Sequence, residues 1–149
     1  MNEVQDNDIE EVITFHKVSQ TLYRYASSVD TKDWETLRSL FTDDAVGEYS
    51  HLDPILGGDA IVAWIQSMTA DRNWQHHLIN VYHVDRTGPE TATALTYHTS
   101  HQTGEGVPDE VTLLVARYRD ELRMVDGHWK IARKQMQTGW REVRSIAQP

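Results

Sequence analysis

Apolar residues recur at helical spacing through most of the first half of the chain and at strand spacing through the second. Over residues 8–28, Ile9, Val12, Ile13, His16, Leu22, Tyr23 and Tyr25 form a broad stripe that predicts a first helix. Trp34, Leu37, Leu40 and Phe41 predict a short second helix over 33–41, ended by Thr42-Asp43-Asp44. Ile61, Ile65 and Met68, with Trp64 beside them, predict a third over 59–69. Residues 45–49 alternate enough for a short strand, and Asp53-Pro54 with Gly57-Gly58 marks 51–58 as a loop. Four long strands then follow, predicted over 77–84, 91–101, 110–122 and 129–136. Turn chemistry separates them, clearest at Val125-Asp126-Gly127-His128. Trp140 reads as the start of a polar tail, and residues 1–7 as a frayed one.

Helices first and hairpin-linked strands afterwards favour an α+β fold. The expected architecture is a cone-shaped α+β barrel. N-terminal helices pack on a strongly curved, mostly antiparallel sheet and enclose a pocket, and ligand sites favour such concavities. With 149 residues and no internal repeat, residues 1–149 read as a single domain.

Composition narrows the functions open to it. The net charge is -9, and the 14 Lys and Arg are scattered, which argues against a nucleic-acid partner. There is no cysteine, so disulfides, thiolate nucleophiles and sulfur-ligated zinc are excluded. The acidic N-terminus lacks a signal peptide's apolar core, and no window approaches the roughly 18 apolar residues that span a bilayer. A cytoplasmic location without membrane contact is the resulting expectation.

Gly57-Gly58 and Gly104-Glu105-Gly106 lack the strand–loop–helix context of a phosphate loop, so no nucleotide cofactor is indicated. The histidines show no metal-ligand spacing; His98 and His101, three apart on a strand, point to opposite faces. No metal is expected. The candidate chemistry is a pairing of His76 with Asp30. An imidazole accepts a proton near neutral pH, and a carboxylate on its other nitrogen fixes the tautomer and stabilises the imidazolium. The plain alternatives are that Asp30 caps the second helix and that His76 is a partly exposed strand-end histidine. Tyr25 and Tyr49 are either pocket hydroxyl donors or core aromatics. Arg133 shares a strand face with Trp129 and Ile131 by parity, and is read either as pairing with a substrate anion or as a surface charge.

Four stretches carry a family resemblance: Tyr25 to Trp34, Leu40 to Ala45, Gln75 to Asn80, and Asp126 to Ile131. In that order they resemble the SnoaL-like branch of the nuclear transport factor 2-like superfamily. The nearest likeness is to the group of scytalone dehydratase, hexachlorocyclohexane dehydrochlorinase and bile-acid dehydratase. The resemblance implies a cofactor-independent lyase acting on a small hydrophobic cyclic substrate, with His76 as base and Asp30 as its partner. Tyr25, Tyr49 and His101 would bind substrate. It also implies a homo-oligomer, a trimer or else a dimer. An isomerase or cyclase of a polyketide- or steroid-like substrate, and a non-catalytic ligand-binding domain, are the alternatives. Val29, Ala116 and Tyr118 replace a tyrosine, a serine and an asparagine of scytalone dehydratase, so scytalone itself is not the expected substrate.

Overall fold

The computed structural model describes residues 3–50 and 52–147, with side chains from residue 6 onward. Helix α1 (Glu3–Thr31) is longer than its periodicity predicts and takes in residues 3–7 of the expected tail; residues 1 and 2 lie outside the described residues. Its buried face is Val18, Leu22, Tyr25, Ala26 and Val29. Ile9, Val12 and Ile13 stay exposed, as do the other residues of the helix from 6 to 13. The Thr21 hydroxyl donates to the Trp129 carbonyl at 2.9 Å and ties the helix to the sheet.

Lys32, with φ at +55°, ends α1. Asp33 then caps α2 (Trp34–Ser39), its carboxylate accepting from the Thr36 N–H at 3.0 Å. The capping role weighed for Asp30 therefore belongs to Asp33, and Asp30 is free for other contacts. Strand β1 (Phe41–Tyr49) follows directly, because Phe41 is buried in the sheet and not in the helix. A two-residue strand, β2 (Ile55–Leu56), interrupts the expected loop, and α3 (Gly58–Met68) buries Ile61, Val62 and Ile65.

The long strands are β3 (Arg72–Gly88), β4 (Thr91–Gly104), β5 (Val107–Val125) and β6 (His128–Ser145). No polar tail begins at Trp140: β6 continues to Ser145, which pairs with Glu110 of β5. Asp126 and Gly127, both at positive φ, form the tight turn between β5 and β6. The sheet runs β2-β1-β6-β5-β4-β3, with only β1 and β6 parallel. It curves but does not close into a barrel, since β2 and β3 are free edges. Helices α1 and α3 cover the concave face. There Leu22, Leu37, Phe41, Ile61, Leu122 and Ile131 form the fully buried centre of the core. None of the described helices is long and apolar enough to cross a membrane.

The bulges decide which side chains face inward. An extra residue sits at Asn73, Tyr82 and Thr87 of β3, and at Ala132 and Gly139 of β6. Each one reverses the strand's alternation. The bulge at Ala132 leaves Ile131 inside but turns Lys134 inward in place of Arg133. Arg133 thus lies on the outer face, bonded to Glu48 at 2.7 and 3.0 Å. The inward reading of Arg133 fails for that reason.

Candidate active site

Two contacts clamp the end of α1 to the start of β3. The Gln75 amide donates to the Val29 carbonyl at 2.5 Å, and the Lys32 ammonium to the Arg72 carbonyl at 2.8 Å. Between them Asp30 faces β3. One of its carboxylate oxygens accepts the His77 backbone N–H at 2.9 Å, and the other lies 2.5 Å from His77 Nδ1. The ring and backbone of one residue thus hold one carboxylate.

The histidine that meets Asp30 is His77, not His76. Successive side chains on a strand point to opposite faces. Gln75, His77, Ile79 and Val81 face the core, while Trp74, His76, Leu78 and Tyr82 face outward. His101 pairs directly with His76 in the register and shares that outer face, their ring centroids 6.2 Å apart. Neither histidine lines the cavity beneath the sheet. The plain reading of His76, a partly exposed strand histidine, describes it correctly.

That cavity has a volume of about 260 Å³, and His77 lies in its wall. Tyr25 and Tyr49 line it, joined by Trp64, His98, Tyr118 and Met136. The Tyr49 and Trp64 rings pack at 4.3 Å. Burial holds the Tyr25, Tyr49 and Tyr118 phenols above their usual range, so they stay protonated and can donate. The Tyr49 hydroxyl is buried without a partner.

His98 stacks on His77 at 5.0 Å and touches the Tyr118 ring at 5.1 Å. Burial, helped by nearby His77 and Lys134, pushes its imidazole down to about 3, so it is neutral at physiological pH. Both ring nitrogens are buried and unpartnered. Beneath this layer Lys134 contacts both oxygens of Asp120 at 2.9 and 3.1 Å. Its ammonium also sits over the Tyr25 and Tyr118 rings at 4.2 and 4.0 Å. Burial pulls Lys134 down and Asp120 up, and each charge opposes the pull on the other.

Sequence reasoning missed His77, His98, Tyr118 and the Asp120–Lys134 pair. His77 was within reach, since one of two adjacent histidines must face the core. Hydrophobicity did not say which, because the outward row holds Trp74, Leu78 and Tyr82. Lys134 was hidden by its bulge.

The contact at Nδ1 leaves Nε2 as the remaining ring nitrogen of a histidine that lines the cavity. An imidazole, a set of phenols and an apolar wall line one small volume. Fold and cavity together define a nuclear transport factor 2-like domain. The SnoaL-like domain profile matches residues 10–135, and the chain belongs to that family. No curated protein sequence matches it significantly. Several solved structures share the fold. A scytalone dehydratase-like protein from Novosphingobium aromaticivorans is 19% identical, with a TM-score of 0.80 over 91% of this chain and 92% of that one. A hexachlorocyclohexane dehydrochlorinase from Novosphingobium barchaimii is 14% identical, with a TM-score of 0.82 over 95% and 99%. A ketosteroid isomerase-like protein from Erwinia carotovora is 17% identical, with a TM-score of 0.74 over 84% and 95%.

Proposed function

We propose that the protein is a cofactor-independent lyase in which His77 is the general base and Asp30 its positioning partner. The observation that carries this reading is the 2.5 Å contact between Asp30 and Nδ1 of a histidine that lines the cavity, which leaves Nε2 as the nitrogen available to a substrate. A small cyclic substrate enters. His77 Nε2 takes a proton from the carbon beside a carbonyl or leaving group. The C–H electron pair becomes the new double bond, and hydroxide or halide departs with its own bonding pair. A phenol of Tyr25 or Tyr49 donates a hydrogen bond to the departing group or to the carbonyl oxygen. In a dehydration, the imidazolium returns its proton to the departing hydroxide and water leaves.

Acid–base assistance of this kind contributes roughly 10²–10⁴-fold in rate. A panel of cyclic hydroxy-ketones and halides, followed by product mass, tests the proposal. Loss of water or halide marks a lyase, and an unchanged mass marks an isomerase using the same base. Turnover in the wild type that His77→Gln retained in full would remove His77 from the mechanism.

A further inference from the structure

None of the residues lining the cavity is acidic, although the chain as a whole carries a net charge of -9. Two are arginines, Arg72 and Arg141. Each joins that lining only because a bulge re-aims it. Strict alternation from inward Gln75 would put Arg72 on the outer face with Trp74, but the extra residue Asn73 turns it in. The Thr103 hydroxyl donates to the Asn73 side chain at 2.6 Å across that bulge. Strict alternation from inward Met136 would likewise put Arg141 on the outer face, but the extra residue Gly139 turns Trp140 outward and leaves Arg141, though exposed, in the cavity's lining. Bulges commonly re-aim side chains beside binding sites.

Arg72 is incompletely satisfied by the protein, and Arg141 is exposed to solvent. Arg72 Nε is buried without a hydrogen-bond partner, and its nearest carboxylate oxygen, on exposed Asp71, is 3.5 Å away. No carboxylate among the described residues pairs with Arg141. Asp30 is the acid beside the site, and His77 occupies both of its oxygens. Arg141 also lies in a continuous cross-strand row with the base, His77–Ser100–Leu114–Arg141. It therefore looks into the cavity from the strand level of His77.

We infer that Arg72 and Arg141 together receive a carboxylate on the substrate, so that the ligand is an anionic ring compound. This rests on the reading of the cavity as a substrate site and specifies what that substrate carries. A guanidinium presents two parallel N–H donors that match a carboxylate, and a charge-assisted bond of this kind is stronger than a neutral one. The apolar wall of Trp64, Ile65, Leu114 and Met136 takes the ring. The carboxylate holds the ring against His77 without taking part in the proton transfer.

The test uses two probes of one shape, 2-naphthoate and its neutral amide, titrated calorimetrically into the full-length protein. Naphthoate is expected to bind at least about 10-fold more tightly than the amide. Arg72→Gln and Arg141→Gln should each weaken naphthoate by about 10-fold or more and leave the amide within about twofold. Arg→Lys at either position should recover part of the loss, and thermal melts verify that each variant is folded. Equal binding of the two probes, binding of neither, or unchanged naphthoate affinity in both glutamine variants would overturn the inference. His77→Gln separates this claim from the catalytic one, because it should lose turnover but keep naphthoate. If naphthoate depended on both arginines while His77→Gln turned over normally, the anion site would stand and the base assignment would fall.

Discussion

Asp120–Lys134 is a fully buried acid–base pair and Asp30–His77 a half-buried one, and they differ in what each leaves unfilled. Lys134 touches both oxygens of Asp120 and lies over two phenol rings, and both side chains are almost wholly inaccessible. No valence there is open to a ligand. The Asp30 carboxylate likewise spends both oxygens, but on one residue, and that residue, His77, lines the cavity. A saturated buried pair shapes the interior and is costly to break, whereas a pair with one open site can move a proton.

Substitutions and one change of pH test that contrast and the packing around it. His77→Gln should lower turnover by roughly 10²–10⁴-fold while the melting temperature moves little, measured as kcat beside a thermal melt. Asp120→Ala should do the reverse and destabilise by about 3–5 kcal/mol in urea unfolding, because it leaves the Lys134 ammonium buried without its counter-charge. Adding Lys134→Met to that variant should recover much of the loss, since an apolar pair of similar volume no longer buries a lone charge.

His98 provides a test by pH. The unfolded chain takes up a proton at this residue near 6.5, and the folded chain resists it until about 3. Between those values the unfolded state binds more protons. Stability at His98 is therefore complete above pH 6.5 and falls as the pH is lowered, by up to about 1.4 kcal/mol per pH unit. His98→Gln should flatten that slope in urea titrations at successive pH values. Gly47→Ala should cost about 1–3 kcal/mol, because a Cβ there would lie 2.9 Å from the Tyr49 ring and 3.1 Å from Ile61. Thr21→Val, which removes the tie from α1 to the Trp129 carbonyl, should cost about 1 kcal/mol.

The two pairs also differ in how visible they are in the sequence. Asp30 stands out after a helical run, and the adjacent histidines stand out at the head of a strand, so an acid–histidine meeting is legible to within one residue. Choosing between His76 and His77 needs strand phase, and phase is obscured when both faces carry large apolar residues. Lys134 is not legible at all. Nothing near Ala132 announces an extra residue, and counting by twos from Ile131 lands on Arg133. Arg72 and Arg141 are hidden for another reason: both lie beyond the strands that periodicity predicts, in the extensions of β3 and β6.

Local periodicity and turn chemistry determined the element order, the α+β class, and the placement of Tyr25 and Tyr49 among inward-facing aromatics. Those features depend on neighbours three or four residues apart, or on a turn closed within a few residues. Tertiary structure alone decided which histidine meets the acid, which cations face inward, and that the sheet stays open. Each of these depends on register between strands distant in sequence, and one inserted residue reverses the outcome for every position beyond it.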